Sequence, residues 1–181
     1  VAETGAVAQR VGDEHAFVRK AAVGAVGQMG QRGARDTEAV AQRLGDEYSY
    51  VRKAAAEALA QMEERGAAHA EAVAQRLGDE YSSVRKAAAE ALAQMGERGA
   101  AHAEAVAQRL GDEHSFVRKA AVEALAQMGE RGAAHAEAVA QRLGDEYSSV
   151  RQAAAEALAQ MEERGAAHAE AVAQRLGAKY S

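Results

Sequence analysis

The stretch Asp79–Gly111, DEYSSVRKAAAEALAQMGERGAAHAEAVAQRLG, decides the fold, because the chain carries it in five near-identical copies. Asp13, Asp46, Asp79, Asp112 and Asp145 open the copies and stand 33 residues apart. Self-similarity at a fixed period of about 20–50 residues marks a stacked-repeat architecture. A half copy, VAETGAVAQRVG, precedes the first full one, and a stub, AKYS, follows the last. An array that starts and stops inside a repeat leads one to expect a segment of a longer array.

Each copy reads as a pair of helices. Val84, Ala88, Ala91, Leu92 and Met95 recur at helical spacing and predict a helix over 84–95 with one apolar face, while Arg85, Glu90, Gln94 and Glu97 fall on the other faces. Ser82 or Ser83 is the expected N-cap and Gly99 the expected stop. A shorter helix is predicted over 101–110, its stripe formed by Ala103, Val106, Ala107 and Leu110 and its end marked by Gly111. Helices this short are marginal in water and cannot bury a stripe alone. Stacking equivalent helices from successive copies buries a continuous core. Alanine-rich stripes place neighbouring axes near the short end of the ~8–10 Å range. The fold class expected is therefore all-α: an elongated α-solenoid of antiparallel helix pairs built on 33-residue repeats.

Composition removes several functions. The chain has 181 residues and no proline, so glycine alone punctuates its helices. Aromatics are only 4% of it, too few for a large-residue globular core. The net charge of −5, with acids and bases finely mixed, lacks the basic footprint of a nucleic-acid binder. Without cysteine there are no disulfides, iron–sulfur clusters or thiolate zinc sites. No apolar run approaches the ~20 residues of a membrane span. An intracellular protein is expected, in the cytoplasm or an organelle such as a plastid; the residues name no compartment.

Ankyrin and tetratricopeptide repeats have similar periods, but the ankyrin TPLHxA phrase and the tetratricopeptide Trp, Tyr and Pro positions are absent. Present instead, in all five copies, are Asp, then Val-Arg five and six residues on (Asp79, Val84, Arg85), then Ala-Ala-x-x-Ala-Leu (Ala87, Ala88, Ala91, Leu92), with Val26 in place of the Leu in the first copy. This pattern resembles HEAT repeats, and most closely the short HEAT-like repeats first recognised in phycobilin lyases and found in long algal and protist arrays. The resemblance covers essentially the whole chain. It implies a right-handed solenoid in which the helix before the Asp is the outer one and the helix after Val-Arg lines the concave face. The units are then 1–33, 34–66, 67–99, 100–132 and 133–165, with a lone outer helix in the half unit 166–181. It further implies that Asp13, Arg19, Asp46, Arg52, Asp79, Arg85, Asp112, Arg118, Asp145 and Arg151 build a hydrogen-bonded ladder between neighbouring repeats. Two departures matter: the period is shorter than in long HEAT units, and their helix-kinking proline is missing, so straight, short outer helices are expected.

A pair repeated in every unit at the turn between two helices is a stacking device rather than a catalytic site. His69, His102, His135 and His168 also recur at 33 residues. Zinc holds nitrogen at ~2.0–2.1 Å, whereas equivalent residues of stacked repeats lie ~8–10 Å apart. One ion cannot bridge them, and a helix-start or surface role is expected. His15 and His114 alternate with Tyr48, Tyr81, Tyr147 and Tyr180 at one position between the helices, which suits a packed amphipathic ring. Each serine sits in the repeated turn or the terminal stub, and the GERG stretches lack the spacing and the Lys-Ser/Thr of a phosphate loop. No catalytic residue, cofactor or metal site is expected, and no small-molecule substrate.

What differs between copies is more informative. His15, Phe17 and Val23 occur together, as do His114, Phe116 and Val122, where other copies carry Tyr, Ser or Tyr50, and Ala. Volume compensation and block duplication both explain this. Phe17, Tyr50 and Phe116 break a polar edge and are candidate partner contacts, with partial burial against the next repeat as the alternative. On the expected concave face, Lys53, Glu57, Lys86, Glu90, Lys119 and Glu123 form rows of alternating charge that are either a solvated surface or a docking one. Gly24 and Gly27 replace Glu and Ala in the first unit, which is therefore expected to be the loosest, or to be held from outside. The function expected is a non-catalytic scaffold for protein partners in a larger assembly. A bilin lyase or lyase partner, by family analogy alone, and a purely architectural spacer are the alternatives.

Overall fold

The computed structural model describes residues 2–30 and 36–178, with side chains described for 5–30 and 36–166. The expected boundary at 33/34, the ring of Tyr180 and the side chain of His168 lie outside these residues. Among the described residues every regular element is helical: α1 (Ala2–Gln9), α2 (Ala16–Gln28), α3 (Thr37–Gln42), α4 (Ser49–Gln61), α5 (Glu63–Ala67), α6 (Ala70–Gln75), α7 (Ser82–Gln94), α8 (Gly96–Ala100), α9 (Ala103–Ala107), α10 (Ser115–Gln127), α11 (Gly129–Ala133), α12 (Ala136–Gln141) and α13 (Ser148–Ala178). Short 3-10 turns such as Arg76–Gly78 lead into each Asp.

The long helices α2, α4, α7, α10 and the first part of α13 stack in chain order, each against its neighbours in sequence. This is an all-α solenoid. Its core is one continuous seam. Leu59, Leu92 and Leu125 form its spine, and Val51, Val84 and Val117 near the starts of the long helices are fully buried as well. Alanines fill the rest: Ala87, Ala88, Ala89 and Ala91 of α7 are all buried, so the helix is covered over a wide arc and not along a single stripe. Small side chains leave little of such a helix exposed because its neighbours reach it closely. Val73 and Val106 close the seam from the short helices.

The structure departs from the sequence expectations at four places. First, α7 ends at Gln94, close to the expected 95, but the turn that stops it lies at Gly96 and not at Gly99. Gly96 and Gly129 adopt φ of +57° and +60°, the left-handed turn that favours glycine, and Glu63 holds the same turn at +51°. Gly99 serves a different need: a Cβ there would lie 1.8 Å from the Leu92 carbonyl oxygen, so only glycine lets α8 cross that close. Second, 101–110 is not one helix: α9 covers only Ala103–Ala107, a 3-10 turn covers Gln108–Gly111, and a separate short helix, α8, precedes them at Gly96–Ala100. Third, Ser82 and Ser83 do not cap α7. Tyr81 is the N-cap residue, and its backbone N–H donates to the Asp79 carboxylate at 3.0 Å.

Fourth, the turn expected at the 165/166 boundary is absent: α13 runs unbroken from Ser148 to Ala178, so 166–178 is not a separate folded-back helix. The cause is local. The turn position carries Glu162, for which the left-handed conformation costs about 1 kcal/mol. Glu63 bears that cost where α5 is held between α4 and α8. Among the described residues no sixth long helix is present to hold 162–166 in the same way, and an alanine-rich segment then continues as helix.

The two glycines of α2 also separate. A Cβ on Gly24 would meet nothing within 4 Å, whereas one on Gly27 would lie 2.7 Å from the Ala58 Cα. Val23 and Val26 are buried around it, so Gly27 lets α2 approach α4 closely and is not a loose point. Gly24→Ala is therefore expected to raise stability by about 1 kcal/mol, and Gly27→Ala to give no such gain. Urea midpoints of the two variants check this, and equal shifts would contradict it.

Candidate interaction surface

The local sequence fixes the turn between outer and long helix. Asp46 ends a 3-10 turn with extended backbone (φ −61°, ψ 146°). Its carboxylate accepts the Tyr48 N–H at 3.1 Å, which orients the carboxylate and starts α4. Arg52, one turn into α4, is 6% exposed and donates Nη1 to the Asp46 and Glu47 carbonyl oxygens at 2.9 and 3.1 Å. The Arg therefore ties down the turn of its own unit with one nitrogen and has Nε and Nη2 left over.

Those two nitrogens reach the next unit. Arg52 Nε and Nη2 donate to Asp79 Oδ2 and Oδ1 at 2.8 and 2.9 Å. The same fork joins Arg19 to Asp46 (2.7 and 3.0 Å), Arg85 to Asp112 (2.7 and 2.9 Å) and Arg118 to Asp145 (2.8 and 2.9 Å). The side chains in the four forks are less than a tenth exposed. Each Asp thus meets the Arg of the unit before it, while the Arg of its own unit touches only its backbone. A second carboxylate, Glu47, Glu80, Glu113 or Glu146, lies 3.5–3.7 Å from each fork on the solvent side. The rings of Tyr48, Tyr81 and Tyr147 cover the guanidinium groups of Arg19, Arg52 and Arg118, at 5.6–5.9 Å, while remaining about half exposed.

At the two ends the fork is incomplete. Asp13 accepts from Arg10 Nη1 at 3.0 Å and from the His15 N–H at 2.9 Å, but among the described residues no Arg of an earlier unit faces it. Arg151 donates Nη1 to the Asp145 and Glu146 carbonyls, with no carboxylate opposite Nε and Nη2 among the described residues.

The candidate contact residues divide. Phe17 and Tyr50 stack at 5.1 Å across neighbouring units, and Tyr50 also meets Tyr48 at 5.3 Å, which leaves Tyr50 half-buried. Phe17 stays 74% exposed and Phe116 43%. Phe116 packs edge-on against His114 in its own turn, 5.2 Å away. Lys53–Glu57, Lys86–Glu90 and Lys119–Glu123 form ion pairs of 3.5–3.6 Å along α4, α7 and α10, all about half exposed. They lie in parallel rows on the solvent side of the stack.

On the outer side His102 and His135 stand 3.8 and 3.9 Å from Glu71 and Glu104 of the preceding unit. His69, His102 and His135 each precede a short helix, with no side-chain cap bond. Among the described residues no group of three or more His, Asp or Glu side chains converges as a metal site requires, and no helix is long and apolar enough to cross a membrane. One tie escaped the sequence reading. Arg76 and Arg142 donate Nη1 to the Leu44 and Leu110 carbonyls of the preceding unit, both at 3.1 Å. Recurrence of Arg before Leu-Gly or Val-Gly in every copy was the available signal, but surface arginines recur in the same way.

The fork sets the acid response. Burial pushes the Asp46, Asp79 and Asp112 carboxyls up, but hydrogen bonds from the Arg and the backbone N–H, with the guanidinium charges, outweigh it and hold all three below the usual 3.8. For Asp145 the Arg118 hydrogen bond is the leading cause of the same lowering. A carboxyl depressed on folding contributes stability in full above its unfolded pKa of about 3.9 and loses it as pH falls through the lower folded value. The urea midpoint is expected to stay flat from neutral pH to about 5 and to fall steeply below about 4. A midpoint indifferent to acid across that window would contradict it.

With the geometry in hand, the similarities to known proteins are informative. A family model for HEAT repeats matches residues 4–60, 37–115, 70–159 and 103–178. Among curated proteins none shows significant similarity to the chain. Solved structures with the same fold include the complex of CpcE and CpcF of phycocyanin lyase from Nostoc sp. PCC7120. It has a TM-score of 0.76 at 21% identity, over 88% of this chain and 65% of that one. An engineered protein from the Northeast Structural Genomics Consortium has a TM-score of 0.71 at 21% identity, over 89% of this chain and 80% of that one. A second from the same consortium has 0.68 at 20%, over 88% of this chain and 47% of that one. These likenesses establish shared fold.

Proposed function

The chain belongs to the HEAT-repeat family, and from that premise we propose that it is a non-catalytic scaffold that binds protein partners along the exposed faces of α4, α7 and α10. The observation that carries this reading is the row of half-exposed Lys–Glu pairs, Lys53–Glu57, Lys86–Glu90 and Lys119–Glu123, repeated at one place on successive units. The stack beneath holds the rows at a fixed spacing, so a partner meets a preformed pattern of charge and loses little entropy in binding it. Phe116 adds an exposed aromatic at the start of the α10 row. The described side chains with catalytic potential are copies of structural parts. Asp and Arg are spent on the forks, and the repeated His residues stand apart in separate units.

Lysine and glutamate at this spacing contribute only about 0.3–0.5 kcal/mol to the helix. The triple charge reversal Lys53→Glu, Lys86→Glu, Lys119→Glu should leave the fold intact, as circular dichroism would show. It should abolish capture of the partner that the unaltered chain retains from its source extract. Retention of the same partner by the reversed chain would rule this face out. The bilin-lyase reading rests on likeness of fold to the CpcE–CpcF complex. Covalent attachment of a bilin to a phycobiliprotein subunit by the purified chain would establish it in place of the scaffold.

A further inference from the structure

We infer that the edge of the stack formed by the Asp turns is a second docking surface, and that it takes an extended, basic peptide segment with Arg or Lys at every third residue. The surface starts from the tyrosines that open the long helices. Tyr81 is 51% exposed although α7 has a long helix packed on either side of it, and Tyr147 and Tyr48 are left open to 50% and 44%. Each of these rings lies over a junction between units, against the guanidinium of the preceding unit's Arg. At the junction of Arg85 with Asp112 the place is held by His114, and Phe116 packs edge-on against it. The stack therefore carries along this edge a line of aromatic side chains that its own packing does not cover, and exposed aromatics of this kind are enriched at contact surfaces.

Beside each junction stands one surplus charge. Arg52 and Asp79 neutralise one another through two hydrogen bonds of 2.8 and 2.9 Å. Glu80 stands 3.7 Å from that guanidinium, with 77% of its side chain exposed. Glu47, Glu113 and Glu146 have the same relation to the other three forks. The Arg of the 3-10 turn is also near, Arg43 at 3.7 Å from Asp46, but its side chain is only 27% exposed. Its equivalents Arg76 and Arg142 turn Nη1 to carbonyls of the preceding unit. The charge that a partner meets on this edge is therefore acidic, one Glu per junction. A cationic head on the Glu, with its aliphatic stem along the neighbouring ring, satisfies both features at once.

Spacing selects the conformation of the partner. The Asp46 and Glu47 carbonyls already accept from Arg52, and those of Asp79 and Glu80 from Arg85, so they are not free to pair with an incoming strand. Equivalent positions of stacked helices recur at ~8–10 Å. A polyproline-II segment has three residues per turn and rises ~3.1 Å per residue, so every third side chain returns to one face after ~9.3 Å. A β-strand returns after about 6.7 Å and an α-helix after about 5.4 Å, and both fall out of step. This surface is separate from the Lys–Glu rows, since Glu80 precedes α7 whereas Lys86 and Glu90 lie along it.

The test uses the full chain and a fluorescent peptide of four Arg-Pro-Pro repeats, with anisotropy read at physiological ionic strength. A control peptide of the same composition carries its four arginines side by side. The repeating peptide should bind about tenfold more tightly than the control. Removing the edge acids (Glu47→Gln, Glu80→Gln, Glu113→Gln, Glu146→Gln) should weaken its binding by about tenfold or more. Removing as many acids from the helix faces (Glu57→Gln, Glu90→Gln, Glu123→Gln, Glu156→Gln) should leave it unchanged, which separates this surface from the partner face proposed above. Circular dichroism confirms that both variants fold. Absence of binding at millimolar peptide would overturn the inference. So would equal affinity for the two peptides, which is diffuse charge attraction only, or an equal response of the two variants.

Discussion

Everything in this molecule that holds one unit to the next is organised around the buried fork between an Arg and the Asp 27 residues later. One guanidinium does two tasks. Nη1 pins the carbonyls of its own turn, and Nε with Nη2 grips the carboxylate of the following unit. A lysine could satisfy neither geometry, because the task needs a planar, multi-donor head. Removing either ion alone would leave the other buried and uncompensated, which typically costs about 3–5 kcal/mol. The fork therefore fixes the register of stacking as well as its strength.

Around the fork, packing follows from the smallness of the side chains. Helices faced with alanine gain little from any single residue, so the stack needs many close approaches at once. Glycine is used where even a methyl group is too large: Gly66, Gly99 and Gly132 pass under the carbonyls of Leu59, Leu92 and Leu125. The same economy explains the behaviour of the ends. A unit without a neighbour on one side has open alanines there, and in α13 the segment that turns back elsewhere continues as helix.

The period, the all-helical class and the long-helix register were legible because they depend on repetition and on apolar spacing alone. Val84, Ala88, Ala91, Leu92 and Met95 all lie in the core where the spacing puts them. What escaped depends on three-dimensional contact. Gly96 and Gly99 are both glycines in a turn-like stretch, and nothing local tells which supplies the positive φ and which the close crossing. Glu63 takes the left-handed turn and Glu162 does not, although the surrounding residues are the same, because among the described residues only the first has a folded unit on the far side. Ser82 has no cap role because it is already inside the helix: the Asp79 carboxylate, held by Arg52, takes the Tyr81 N–H, and Tyr81 stands at the N-cap position. The rows of charge and the exposed Phe17 and Phe116 were visible as patterns, but the stacking of Phe17 on Tyr50 was not, because it joins residues of different units.

The central claim is that neighbouring units are coupled through the Arg–Asp fork. A double-mutant cycle on Arg85→Met and Asp112→Leu, followed by urea unfolding, tests it most directly. Each single change should be strongly destabilising, and the two together should cost at least about 2 kcal/mol less than their sum, because the double variant leaves no lone buried charge. Strictly additive losses would mean that the two residues do not sense one another, and the account of how the units hold together would be wrong.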